Sequence, residues 1–151
     1  MRLLVTGSRD WSDIAAVAAW LAALLPREGD HAIAHGACND FSDPPVGADA
    51  TVSWLLSSFT NTLPDAHPWS AASFKRWAPL YRYEVDHRID GQWPAAGPRR
   101  NERMVELFEP THCLAFLMPD LFADRPRNRG TRNCIELCEA WKVPVTRVLG
   151  Q

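Results

Sequence analysis

The chain has 151 residues, 46% of them hydrophobic and 23% charged, a length that holds one domain with one core. Its formal net charge of -2 carries no overall basic footprint, which argues against duplex DNA as the main partner. The longest apolar window, Ile14 to Leu25, is too short for a membrane span, and the opening Met1 to Gly7 lacks a signal-peptide core, so a soluble, cytoplasmic protein is expected.

Arg2 to Thr6 is a short apolar run that reads as a strand and stops at Gly7-Ser8-Arg9-Asp10. Ser12 is placed to cap a helix whose apolar positions are Ile14, Val17, Ala18, Leu21, Leu24 and Leu25, the stripe of a helix lying on a core. Pro26 and Gly29 end it. His31 to His35 reads as a second strand closing on Gly36, and Asn39 to Pro45 as a turn-rich loop. A helix follows from about Gly47, with Val52, Leu55, Leu56 and Phe59 on one face.

The stretch from Ser57 to Leu80, with its prolines and Trp69, Phe74 and Trp77, is compatible with a lid, a short helix or a packed surface loop. Tyr81 to Val85 is a third strand candidate, followed by a polar loop to Pro94. A helix opens at or just after Pro98 and carries Met104, Val105, Leu107 and Phe108. His112 to Met118 is a strand, Thr131 to Trp141 a helix, and Val143 to Leu149 the last strand. This alternation predicts a single Rossmann-like, three-layer α/β domain over residues 1–151, with a parallel sheet of about five strands in the order 3-2-1-4-5. Ligands in such sheets bind beyond the strands' carboxyl ends where the order reverses, here between the first and fourth strands.

The four cysteines, Cys38, Cys113, Cys134 and Cys138, form no CxxC pair. Cys134 and Cys138 share a helix face and His112 neighbours Cys113, which allows a metal site. Small buried residues in a reducing compartment account for them better, and no metal is expected.

Four polar loops hold the candidate chemistry. In Thr6-Gly7-Ser8-Arg9-Asp10-Trp11 a strand-end glycine turns the backbone, N–H groups face outward, and a hydroxyl and a guanidinium suit phosphate. A strand-end glycine alone also reads as a plain turn. His35-Gly36-Ala37 ends the second strand, and Gly47-Ala48-Asp49 opens the next helix. Asp49 suits a ribose hydroxyl, or equally a helix dipole, and His35 alone reads as structural. In Gly97-Pro98-Arg99-Arg100-Asn101-Glu102-Arg103, arginines in a helix's opening turn oppose its dipole unless an anion is near; a solvated turn with Glu102 and Glu106 is the alternative. Arg129-Gly130-Thr131 offers free N–H donors and a hydroxyl before the last helix, or simply a cap at Thr131.

Together, Leu4 to Trp11, His35-Gly36-Ala37, Gly47-Ala48-Asp49-Ala50, Ala96 to Met104 and Arg129-Gly130-Thr131 resemble the SLOG superfamily in its YspA-like branch, the DUF2493 domain. The resemblance implies a Rossmann-like domain that binds nucleotides or NAD- and ADP-ribose-like derivatives. Its relatives include phosphoribohydrolases labelled lysine decarboxylases, the DNA-processing protein DprA, and phage-encoded conflict proteins. Phosphoribohydrolases carry Pro-Gly-Gly-x-Gly-Thr and then a catalytic glutamate. Here Arg127 to Cys134 lacks the Pro-Gly-Gly and sets Asn133 and Cys134 where carboxylates would stand; Glu136 lies one helical step too late. Residues 39–46, 57–80 and 119–129 look like insertions.

The first functional expectation is a sensor or sequestering module for a nucleotide-like small molecule, without a further cofactor. The second is an N-glycosidic phosphoribohydrolase in which Arg100 and Arg103 hold phosphate, Asn101 orients ribose, and Glu102 or Asp49 supplies the catalytic carboxylate. The third, DprA-like single-strand binding, draws on seven tryptophans but is disfavoured by the net charge and by the helical setting of Trp20 and Trp141. A homo-oligomer is expected, because tryptophan suits such interfaces.

Overall fold

The computed structural model describes residues 1–25, 29–39, 44–57, 64–68, 70, 78–119 and 128–150. Five strands form one sheet: β1 (Arg2–Gly7), β2 (Ala32–His35), β3 (Leu80–Arg82), β4 (His112–Leu117) and β5 (Val145–Leu149). All pairings are parallel and the order is β3-β2-β1-β4-β5, as the alternation of elements predicts. Among the described residues five helices connect or flank them: α1 (Ile14–Leu24), α2 (Ala48–Leu55), α3 (His87–Asp90), α4 (Ala96–Phe108) and α5 (Arg129–Ala140).

The pleat sorts the core into two layers. Leu3 and Val5 of β1, Ile33 of β2, and Leu114 and Phe116 of β4 face Val17 and Leu21 of α1 and Val52 and Leu55 of α2. Their neighbours Leu4, Ala32, Ala34 and Cys113 face Met104, Val105 and Phe108 of α4 and Cys134 and Cys138 of α5. A side chain shift of one residue in any strand would exchange these sets, so the register is strongly specified.

Several boundaries depart from the expected ones. Asp13, rather than Ser12, caps α1: its carboxylate accepts from the Ala16 N–H at 2.9 Å, next to the first stripe residue, Ile14. β3 is shorter and starts earlier than expected, since an exposed edge strand leaves little hydrophobic alternation to read. The polar loop before Pro94 contains α3, which Asp86 caps by accepting from the Arg88 N–H. Most of the segments read as insertions lie outside the described residues. Among the described residues no helix is long and apolar enough to cross a membrane.

Candidate functional site

A cavity of about 710 Å³ opens at the carboxyl ends of β1 and β2, beside the point where the connections after β1 and β4 leave towards opposite faces of the sheet. All four polar loops contribute to its wall: Thr6 to Asp10, Gly36 and Asp49, Gly97, Pro98, Arg100 and Asn101, and Arg129 to Thr131. Cys38, Trp93, Pro94, Met104, Asn128 and Asn133 complete it. Gly7, Arg100 and Thr131, distant in the chain, therefore face one space.

The β1 loop is held rigidly. Ser8 donates its N–H to the Phe116 carbonyl at 2.9 Å, and its own carbonyl accepts from Trp11 and from Ala48, the first residue of α2. Its hydroxyl donates to Asp10 in a short hydrogen bond. Gly7 is needed for packing rather than for turning. It remains in β1, and a Cβ there would stand 2.5 Å from the Ala48 Cβ. Gly47 adopts φ +98 where a Cβ would meet the Arg9 carbonyl at 2.9 Å, and its N–H donates to the Trp11 carbonyl at 2.7 Å. The start of α2 is thus occupied by backbone oxygens of the β1 loop. Trp11 is buried against Phe116, with ring centroids 4.9 Å apart. Gly47 and Trp11 support the loop from behind and do not line the cavity.

At the end of β2, the buried His35 accepts the Ala37 N–H on Nδ1 at 2.9 Å. That fixes the proton on Nε2, which faces the Ser53 hydroxyl at 2.8 Å. Ala37 is thereby held at φ +59, and the Cys38 N–H reaches Oδ2 of Asp49 at 3.1 Å. His35 and Ala37 shape this turn; Gly36, Cys38 and Asp49 face the cavity.

The arginine-rich helix begins earlier than its proline suggests. Ala96 already donates to the Gln92 carbonyl at 3.0 Å, so Pro98 is the third helical residue and Arg100 lies in the second turn. The conflict between the arginines and the helix dipole is correspondingly weak, because that effect fades within the first turn. Burial replaces it. Arg100 is only 8% exposed. Its guanidinium donates to Asn101 Oδ1 at 2.9 Å, to the Tyr83 carbonyl at 3.0 Å and, in a short bond, to the Gly36 carbonyl. All three acceptors are uncharged, and among the described residues no carboxylate pairs with it.

The neighbouring charges divide by helix face. Arg103 forms a two-pronged ion pair with the buried Asp90, at 3.0 and 2.8 Å, and does not line the cavity. Those hydrogen bonds hold the Asp90 carboxyl below its ordinary range and raise Arg103. Arg99 and Glu102 are exposed and also lie off the cavity wall. Glu102 follows Arg100 by two residues, which on a helix is the opposite side. Asn101 uses its amide to tie α4 to α5, donating to the Gly130 carbonyl at 3.3 Å and Asn133 Oδ1 at 2.9 Å.

The start of α5 is left open towards this space. Asn128, at φ +65, turns its side chain to the Met118 backbone, accepting at 3.1 Å and donating at 2.7 Å, and makes no cap bond. The helix then begins at Arg129, so Thr131 is its third residue and not its cap. Its first N–H groups consequently lack a side-chain cap. A Cβ on Gly130 would meet nothing within 4 Å. Further along α5, Cys134 carries a thiol pushed well above its ordinary value by hydrogen bonding to Cys138 and by burial. It stays protonated and supplies no base.

Arg9 and Arg129 are exposed at the wall without ion pairs among the described residues, so three guanidinium groups face two carboxylates, Asp10 and Asp49. Among the described residues, no cluster of His, Cys, Asp or Glu is disposed to hold a metal. Among the lining residues outside the four loops, Trp93 and Pro94 belong to a polar segment that the motifs did not mark. Only the indole of Trp93, beside prolines in a polar loop, offered a signal. No protein-family model, curated protein or solved structure matches this chain.

Proposed function

We propose that this chain binds a phosphate-bearing, nucleotide-like small molecule, such as a nucleoside phosphate or an ADP-ribose-like compound, and acts as a sensor or sequestering module. The observation that carries this reading is Arg100. Its guanidinium is nearly buried and bonded only to neutral oxygens at a cavity wall. A buried guanidinium with no carboxylate in contact is unfavourable, and an anion entering the cavity supplies a counter-charge at contact distance. Arg9, Arg129 and the uncapped N–H groups of α5 add donors for phosphate oxygens. Asp10 and Asp49 are acceptors suited to ribose hydroxyls. The resemblance to the SLOG superfamily points the same way.

Thermal unfolding with AMP, ADP-ribose and NAD tests this proposal. At least one should raise Tm in the wild type by mass action and fail to do so in Arg100→Met. No shift with any of them in the wild type would sink the reading.

A second reading, N-glycosidic hydrolysis, rests on the buried carboxylate of Asp49 at the cavity wall. Glu102 faces solvent and Arg103 is committed to Asp90, so Asp49 would have to act without either. Release of free base from AMP or NAD, lost in Asp49→Asn, would favour this reading over simple binding.

A further inference from the structure

We infer that Trp93 forms the platform on which the ligand's nucleobase stacks, so that the cavity takes a nucleotide in preference to a bare sugar phosphate. This rests on the nucleotide reading above and adds a second recognition element to it. Of the seven large hydrophobic side chains exposed among the described residues, Trp93 alone lines the cavity. It is 57% exposed, an unfavourable setting for an indole unless something covers it.

Its position is fixed from two sides. The benzo edge rests on α4 where Gly97 has no side chain: a Cβ there would lie 3.2 Å from Cζ3. The His87 ring approaches edge-on, with centroids 6.0 Å apart. Pro94 and Pro98 extend the apolar wall around it. An aromatic ring held in place loses little freedom when a second ring stacks on it, and stacking accepts any base because every base has a π-face.

The placement beside the charged group also suits a nucleotide. Gly97, on which the indole rests, precedes Arg100 by three residues, so both recognition elements border the same cavity along the first turns of α4. A ribose would bridge a phosphate at the guanidinium and a base at the indole. Arg100 and the α5 amides recognise the phosphate, and Trp93 recognises the planar heterocycle.

Isothermal titration of the full chain with AMP and with ribose 5-phosphate separates the two contributions. Wild type should bind AMP about tenfold more tightly than ribose 5-phosphate. Trp93→Ala should remove that advantage and leave ribose 5-phosphate unchanged, which also reports an intact fold. Trp93→Phe should restore most of it. If ribose 5-phosphate binds but AMP binds no tighter, or if Trp93→Ala weakens both alike, the stacking role is overturned while the anion site stands. If neither ligand binds the wild type, the stacking role is overturned, and the nucleotide reading fails as well when ADP-ribose and NAD also leave Tm unshifted.

Discussion

The guanidinium of Arg100 occupies the volume that a side chain at Gly36 would need: a Cβ on Gly36 would stand 2.8 Å from Arg100 Cζ. A glycine at the end of one strand and an arginine on a helix 64 positions later are thus complementary in shape as well as hydrogen-bonded. Gly36→Ala should displace the guanidinium and weaken AMP binding at least tenfold. Overpacking should cost about 1–3 kcal/mol of stability. Titration and denaturant unfolding measure the two effects separately, and wild-type affinity in this variant would contradict the arrangement.

The Asp90–Arg103 pair should show itself in acid. Asp90 is held below its ordinary value of 3.8 chiefly by the Arg103 hydrogen bonds, against the opposing effect of burial. A depressed carboxyl contributes stability that is present above its unfolded value and lost as pH falls through the folded one. Asp90→Asn should therefore cost about 2–3 kcal/mol at pH 7, near the low end for a buried pair because Arg103 keeps some solvent contact. The gap between wild type and variant should begin to narrow near pH 4 and close as pH falls through the lower folded value, as followed by urea unfolding across pH.

Gly130 offers the converse of Gly36. Nothing stands within 4 Å of a Cβ there, so the fold does not require the glycine. Gly130→Val should leave Tm within about 3 °C of wild type, since valine is no worse than glycine in a helix. Because Gly130 lines the cavity, the added side chain should weaken AMP binding severalfold. A loss of stability without loss of binding would reverse the assignment.

Thiol chemistry gives an independent footprint of the cavity. Cys113, Cys134 and Cys138 are buried, and hydrogen bonding to Cys138 together with burial pushes the Cys113 and Cys134 thiols upward. Cys38 is half-buried at the cavity wall. Iodoacetamide under native conditions should modify Cys38 first, and AMP should slow that reaction. Mass spectrometry of the labelled peptide reads both results.

Much of the fold was legible because its signals are local. The stripe from Val17 to Leu21 and the strand runs around Val5 and Leu114 show their periodicity directly, and alternation with right-handed crossovers leaves few strand orders to choose from. β3 and α3 were misjudged or missed because an exposed edge strand and a single helical turn carry almost no apolar pattern. In the site, the loops were marked by glycine and arginine, but their individual roles were not. Gly7 serves Ala48, Trp11 serves Phe116, and His35 serves the turn at Ala37.

Residue order alone determined the layered α/β architecture and the gathering of the four polar loops at one end of the sheet, since periodicity and chain connectivity are written along the backbone. It could not distinguish Arg100 from Arg103, which stand about one helical turn apart and share a residue type. Tertiary packing made that distinction. Asp90, from a turn with no visible signal, neutralises Arg103, while the backbone oxygens of Gly36 and Tyr83 hold Arg100 without a carboxylate partner among the described residues. Which charge remains available depends on what stands beside it in space, and electrostatic energy follows that distance rather than position in the chain.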